Sequence, residues 1–259
     1  MSNYQYVIDN AQSIKLNYQD SISDVVSRNG KVTTGRIVGT RPYQLEVEIY
    51  SYLDAGNVEV RQLLQYIDQN AKVTTEIVDI GSTNTGLNYI TGYKGNAPTA
   101  YLESLNFYPT PGILDNSSQG STQTPSYNIL TMQEANITHR PSDVSTTVFA
   151  QGDYIQFNYT GSTGTNTNQQ IPYQVMETVQ VSDLYGGVGN KFYDVKVNRH
   201  YSGKYGAGGG GITTSPQVKV GSNVSFDVAL VEKPRYEIIP GGKNGLIVFS
   251  DSFKFIEVI

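Results

Sequence analysis

Two hydrophobic patterns of different period follow one another between residues 36 and 80, and they constrain the fold more than any other part of the chain. From residue 45 to residue 53 apolar residues alternate with charged or aromatic ones, which is typical of a strand with one buried face. Four apolar residues at helical spacing come next: Val60, Leu63, Leu64 and Ile67. They predict the core face of an amphipathic helix that Asn57 begins and Asn70 ends.

The segment after this helix, residues 72–80, returns to β-branched residues. We therefore expect a strand at 43–53, a helix at 58–69 and a strand at 72–80, which together form a sheet partly covered by one helix. No catalytic residue type is concentrated in this stretch.

The composition favours a mainly β protein. The chain has 20 Tyr and 8 Phe, which are enriched in strands, and 26 Gly and 10 Pro, which supply turns. Its 259 residues are enough to bury a core, and with no Cys it has no disulfide to stabilise that core. Packing or assembly must supply the stability.

Charge and the length of apolar runs argue against two classes of partner, nucleic acids and membranes. The formal net charge is −5, and no cluster of Lys and Arg is present of the kind that neutralises phosphates, so we expect no specific nucleic-acid binding. No run approaches the roughly 20 apolar residues of a membrane span, so we expect no membrane insertion. The first twelve residues are polar and lack the pattern of a secretion signal.

The N-terminal third contains several shorter strand-like segments. We expect edge strands at 4–8 and 13–18, a hairpin that joins 22–27 to 31–35 through Asn29-Gly30, and a short strand at 87–93.

Composition changes at residues 95–98, and this change predicts a second β unit. We expect one strand at 101–108 and three more at 154–159, 173–181 and 192–201, and these three form a meander or small barrel. The segment 129–137 is ambiguous between a short helix and a loop. Two segments rich in Gly, Ser, Thr or Pro, 109–128 and 203–216, are predicted flexible loops.

The last forty residues regain strand patterns at 224–230, 246–249 and 253–259. We interpret residues 1–100 as one domain completed by 218–259, with 101–217 as an insertion. Deleting residues 253–259 should then abolish folding of the N-terminal region.

The sequence offers no constellation that predicts catalysis, a cofactor or a metal. His139 and His200 each lack a second ligand at metal-binding spacing, and the glycines at 206–211 are not followed by the Lys of a phosphate-binding loop. Glu46 and Glu48 share a strand face with carboxylates roughly 6 to 7 Å apart, which is within the span of an inverting glycosidase pair. The chain has no Trp to line a sugar cleft, so a solvated or interfacial sheet face explains these glutamates more simply. We predict that the chain is not an enzyme.

Tyrosine supplies a large amphipathic contact area and is enriched where protein surfaces meet. The best candidates for a subunit contact combine such tyrosines with the two neighbouring glutamates: Tyr43, Glu46, Glu48, Tyr50 and Tyr52.

Three short pieces of the chain resemble one known family. The segment Arg36-Ile-Val-Gly-Thr-Arg-Pro-Tyr-Gln-Leu-Glu-Val-Glu-Ile49, followed by a helix and a returning strand, resembles the ring-forming β domain of tailed-bacteriophage minor tail proteins of the distal tail, tail-tube-initiator and baseplate-hub types. Gly152-Asp-Tyr-Ile-Gln-Phe157 with Tyr173-Gln-Val175 resembles a segment of their second domain. The ending Phe253-Lys-Phe-Ile-Glu-Val258 resembles their closing strand.

The resemblance implies a tail-tube-like β-sandwich or barrel with one flanking α-helix, plus a second small β-barrel-like domain. It implies a structural virion protein, made in the host cytoplasm and located in the tail or baseplate. Such a protein forms a homo-oligomeric ring, usually a hexamer, and contacts other tail-tube and baseplate hub proteins to connect the tail tube to the baseplate or tail tip.

A second function remains open on the sequence alone. A glycan-binding or adhesin module of a virion or cell surface would stack sugars on tyrosines, and Tyr154, Tyr159 and Tyr173 are the candidates for that role.

Overall fold

The computed structural model describes residues 3–18, 21–26, 32–37, 42–50, 53–70, 75–79, 92–108, 128–134, 139–158, 171–181, 192–199, 217–221, 224–232, 234–241 and 244–258. The chain is mainly β and divides into two compact units. Unit 1 consists of Met1–Leu87 and Ser225–Ile259, and unit 2 of Asn88–Val224. Both boundaries expected from composition, 100 and 217, fall inside unit 2. The turn at 95–98 belongs to unit 2 because the Asn96 side chain accepts a hydrogen bond from the Thr147 backbone at 2.7 Å.

The described helices are α1 (Asn3–Asp9), α2 (Val58–Asn70) and α3 (Thr99–Leu102). The described strands are, in chain order, β1 (Ala11–Tyr18), β2 (Ser21–Val26), β3 (Val32–Ile37), β4 (Tyr43–Ile49), β5 (Leu53–Asp54), β6 (Thr75–Asp79), β7 (Leu105–Tyr108), β8 (Ile129–Glu134), β9 (Thr147–Phe149), β10 (Tyr154–Asn158), β11 (Tyr173–Gln174), β12 (Val179–Gln180), β13 (Phe192–Lys196), β14 (Gln217–Val220), β15 (Ser225–Glu232), β16 (Tyr236–Ile239), β17 (Leu246–Phe249) and β18 (Phe253–Glu257).

The main sheet of unit 1 has five strands in the order β1-β4-β18-β15-β6, and all its pairs are antiparallel. β18 therefore lies between β4 and β15 in the sheet that holds β1. One face of this sheet is buried, because alternate residues along β4 and β15 are apolar. The buried side chains include Leu45, Val47, Phe226, Val228, Phe253 and Phe255.

Two of the described helices belong to unit 1, where the sequence predicts one. Residues 4–8, expected to be an edge strand, form part of α1, which packs against β1, β4, β6 and α2. The Tyr4 ring contacts the rings of Tyr66 on α2 and Phe255 on β18, at centroid distances of 5.4 and 5.0 Å. The strand assignment is wrong because the apolar contacts of Tyr4, Val7 and Ile8 follow helical spacing.

α2 forms close to its predicted position. The Asn57 side chain accepts a hydrogen bond from the Glu59 backbone N–H at 2.8 Å, which is an N-cap. Of the predicted core face, Val60, Leu63 and Ile67 are buried and Leu64 is half-buried.

Two smaller sheets complete unit 1. The hairpin predicted around Asn29-Gly30 is confirmed as the antiparallel pair β2-β3, in which Val26 opposes Val32. The turn itself lies outside the described residues. The other sheet has the order β16-β17-β5, and α2 begins four residues after β5 ends.

Unit 2 contains a six-stranded antiparallel sheet, β11-β10-β14-β7-β8-β13, and the pair β12-β9. The described strands do not close into a barrel, although Val175, just after β11, bridges Val197, just after β13. The single strand predicted at 101–108 is wrong, since α3 ends at Leu102 before β7 begins. The segment 129–137 contains β8, which is neither a helix nor a loop, because Leu130 and Met132 alternate into the core.

Several predictions fall outside the described residues: the strand at 87–91, the loop 203–216 with its glycines, and all of the loop 109–128 except Asn128. Gly92 and Tyr93 are described and are not in a strand.

Candidate subunit interface

The solvent face of the five-stranded sheet holds part of the predicted interface. β4 alternates between Tyr43, Leu45, Val47 and Ile49, which are buried, and residues such as Glu46 and Glu48, which are not. Both glutamates are therefore on the surface, and Tyr50, which follows them, is 59 % exposed. Tyr52 lies outside the described residues.

Tyr43 does not belong to this surface, which corrects the sequence-based interpretation. Its side chain is 1 % exposed, and its ring contacts the rings of Tyr18 and Phe226 at 5.1 and 5.7 Å. Strand alternation sends odd-numbered residues of β4 inward, so Tyr43 packs in the core of unit 1 and offers no area to another subunit.

Glu46 and Glu48 are already engaged with neighbouring strands. The Lys15 ammonium lies 4.0 Å from a carboxylate oxygen of Glu46 and 3.6 Å from one of Glu48. The Ser252 and Ser13 hydroxyls donate hydrogen bonds to Glu46 and Glu48 at 2.8 and 3.1 Å. This arrangement is an ion-paired sheet surface.

The charges of this face form a row that crosses four strands. Lys15 of β1 opposes Glu46 of β4, Glu46 opposes Lys254 of β18, and Lys254 opposes Glu232 of β15. We call these four residues the charge row. Its sign alternates at every strand, so the row is neutral as a whole.

A second surface of unit 1 carries exposed apolar side chains that the sequence analysis missed. On β16, Ile238 is 62 % exposed and Ile239 41 %, while Leu246 on β17, opposite Ile239, is 39 % exposed. Ile239 and Leu246 share one face of this sheet and Ile238 lies on the other, because successive side chains of a strand alternate. We call these three residues, which leave both faces of the β16 edge apolar and exposed, the apolar patch. β16 is an edge strand, and the Tyr236 hydroxyl donates a hydrogen bond to Asp68 of α2 at 3.2 Å. In the sequence, the signal for this patch is the pair of isoleucines that follows Glu237.

Unit 2 contains a buried polar cluster around Glu134. The Glu134 carboxylate is fully buried and accepts hydrogen bonds from the Arg140 guanidinium, one of them from Nε at 2.8 Å, and from the Tyr101 hydroxyl at 3.0 Å. The Tyr101 and Tyr193 hydroxyls are also hydrogen-bonded to each other. Burial raises the pKa of both tyrosines, that of Tyr193 to about 12, while the hydrogen bond to Glu134 raises the pKa of Arg140. The cluster thus favours the neutral form of both tyrosines and the charged form of Arg140.

A second buried carboxylate, Asp153, follows the turn at Gly152, whose φ of 89° favours glycine. Its two oxygens accept hydrogen bonds from the backbone N–H groups of Lys94 at 2.7 Å and Ala150 at 2.8 Å. Burial raises its pKa despite these bonds. Asp153 thus joins two loops of unit 2.

The tyrosines proposed as glycan platforms are not on the surface. Tyr154 and Tyr173 are buried, 5 % and 0 % exposed, and Tyr159 lies outside the described residues. A buried ring cannot stack on a sugar, so neither Tyr154 nor Tyr173 can carry the predicted glycan contact.

Metal ligands are not clustered in the described part of the chain. No group of three or more His, Cys, Asp or Glu side chains there could hold a metal ion. His139 is exposed, and His200 is outside the described residues. Within the same ranges, no helix combines the length and apolar character needed to cross a membrane.

Comparison of the chain with protein-family models and with curated proteins finds no match.

Proposed function

We propose that the chain is a structural virion protein of a bacteriophage tail, whose copies form a ring, of six subunits, that connects the tail tube to the baseplate or tail tip. The observation that carries this proposal is the apolar patch on the edge strand β16. Exposed apolar side chains on both faces of an edge strand favour contact with another protein surface.

The geometry of a ring suits such a patch. A ring requires a heterologous contact, in which one surface of a subunit meets a different surface of the next. The apolar patch supplies one partner, and the exposed Tyr50 is the candidate for the other among those predicted interface tyrosines that the structure describes. The net charge of −5 also suits a channel through which DNA passes without adhering, since like charges repel.

The test is the mass of the purified full chain, measured by light scattering and electron microscopy, alone and with tail-tube and hub proteins of the same phage. We expect a ring, and we expect Ile238→Lys to reduce the assembled fraction at least about tenfold, because a charge would be buried at the contact.

Val144→Lys is the matched control, since Val144 is 64 % exposed and lies in unit 2. It should leave assembly unchanged. A chain that stays monomeric alone and with these partners would contradict the proposal, as would a ring that tolerates Ile238→Lys.

A further inference from the structure

We propose that the solvent face of the five-stranded sheet docks face to face with the same face of a second copy of this chain, through a two-fold axis centred on the charge row. This contact differs from the ring contact, because it uses the opposite side of β4 from the core and does not involve the apolar patch.

The order of charges carries the inference. Along the row from β1 to β15 the signs are plus, minus, plus and minus, at Lys15, Glu46, Lys254 and Glu232. Strands lie about 4.8 Å apart, so the row extends over roughly 14 Å. Lys15, Lys254 and Glu232 are exposed, and Glu46 is half-buried.

Such a row is complementary to itself when it is reversed. A two-fold axis that runs parallel to the strands, between β4 and β18, places Lys15 opposite Glu232 of the second copy and Glu46 opposite its Lys254. The symmetry repeats both pairs, so all four charges meet an opposite charge. A second copy stacked without this reversal would instead place every charge opposite its own kind, which is unfavourable.

The rest of the face permits close approach. In the rows next to the charges, the side chains other than Glu48 are neutral: Ser13, Asn17, Gln44, Ala229, Ser252 and Ile256. Glu48 would face a serine, Ser252, of the second copy. The contacts that Lys15 makes with Glu46 and Glu48 inside one subunit are exposed, and such pairs can also interact with charges across an interface.

Two single charge reversals test the proposal in the full chain. Glu46→Lys places an ammonium opposite Lys254 of the second copy, and Lys254→Glu places a carboxylate opposite its Glu46. Each like-charge contact occurs twice in the pair. We expect each variant alone to raise the dissociation constant of the two-fold pair at least about tenfold, measured by sedimentation velocity.

Mixing the two variants should restore the pair. In a mixed dimer the ammonium introduced at position 46 faces the carboxylate introduced at position 254. The native Lys254 of the first variant likewise faces the native Glu46 of the second, so every contact between these positions is attractive again. Native mass spectrometry with a mass tag on one variant identifies the mixed species.

The wild-type pair should also weaken as salt rises, because the Debye length falls from about 8 Å at physiological ionic strength to about 3 Å at 1 M.

Glu103→Lys, an exposed charge reversal in unit 2, is the matched control and should not affect pairing. Circular dichroism checks that all variants fold. If the wild type shows no pairing at high concentration, or pairs regardless of these reversals, or if the mixture fails to recover the pair, the proposal is overturned. A ring that forms through the apolar patch and ignores the charge reversals would leave the proposed function standing while refuting this two-fold contact.

Discussion

The buried carboxylate of Glu134 is the residue whose environment has the clearest energetic consequence. It lies in the core of unit 2 and depends on the partly exposed Arg140 for its charge balance. Removing one partner of such a pair leaves an uncompensated buried charge, whereas removing both leaves none. Stability should therefore respond very differently to single and double replacement.

We expect Arg140→Ala to lower the free energy of unfolding of unit 2 by about 3 kcal/mol, the low end of the range for a broken buried pair, because water can reach the guanidinium side. Denaturant unfolding measures this loss. The double variant Glu134→Leu with Arg140→Leu should recover most of it. A loss well below about 1 kcal/mol for Arg140→Ala would show that the ion pair contributes little.

The buried tyrosines predict a loss of stability in alkali. Burial raises the pKa of Tyr193 from its ordinary value of 10 to about 12, and burial has the same effect on Tyr93. A raised native pKa means that the stabilisation is complete below pH 10 and is lost as pH rises through 12. The free energy of unfolding, measured by denaturant across this window, should fall.

Tyr193→Phe provides the comparison, because phenylalanine does not ionise. The variant should lose less stability between pH 10 and pH 12 than the wild type does. An identical pH dependence in the two proteins would mean that the Tyr193 hydroxyl ionises as easily when folded as when unfolded.

Asp153 titrates at the opposite end of the pH scale. Burial raises the pKa of its carboxyl above the ordinary 3.8, so its contribution to stability is fully present below that value and declines as pH rises through the native pKa. The difference in unfolding free energy between the wild type and Asp153→Asn should therefore shrink as pH increases from 3.8. A difference that stays constant with pH would contradict this assignment.

At the scale of secondary-structure elements, α2 depends on a local signal at its first turn. The Asn57 side chain satisfies the Glu59 N–H, which otherwise has no partner within the helix. We expect Asn57→Ala to destabilise unit 1 by about 1 kcal/mol, measured by hydrogen exchange of the α2 amides. Asn57→Asp retains an oxygen acceptor and should stay close to wild type. Equal losses in both variants would exclude the cap as the cause.

Local periodicity predicted the elements with a long regular pattern, such as α2 and β4. It misassigned α1 because residues 4–8 are too short and too apolar for a period to be decisive, although the spacing of Tyr4, Val7 and Ile8 was compatible with a helix. It also placed Tyr43 on the surface, even though the alternation that places Glu46 outward requires Tyr43 to point inward.

At the scale of the whole molecule, unit 2 is inserted between two strands that are hydrogen-bonded neighbours. Asp79 at the end of β6 lies directly opposite Ser225 at the start of β15. Removing the intervening chain should therefore leave these two strands able to form an ordinary hairpin.

We predict that replacing residues 80–224 by a short Asn-Gly loop yields a folded unit 1 with cooperative unfolding, measured by circular dichroism. The same protein without residues 253–259 should not fold, because β18 lies between β4 and β15 and its loss separates the sheet into two parts. A shortened chain that is unfolded with β18 present would show that unit 1 depends on unit 2.

Strand order in the main sheet and the position of the candidate surfaces could not be obtained from local patterns. The pairing of β4 with β18 joins residues that are far apart in sequence, and short-range periodicity contains no information about such partners. The charge row likewise exists only once the register of four strands is known. The apolar patch likewise becomes recognisable only once β16 is known to be an edge strand.

The large sequence separation between paired residues also affects how the chain folds during synthesis. The backbone N–H of Tyr43 donates to the carboxylate of Glu257, 214 positions later. At the usual rates of synthesis β4 emerges on the order of 10 to 40 seconds before that partner. During this interval its apolar side can be sheltered only by neighbours that have already emerged, and α1, which packs on β1 and β4, is among the first of them. The helix α1 can therefore shield the apolar side of β1 and β4 before β15 and β18 have been synthesised.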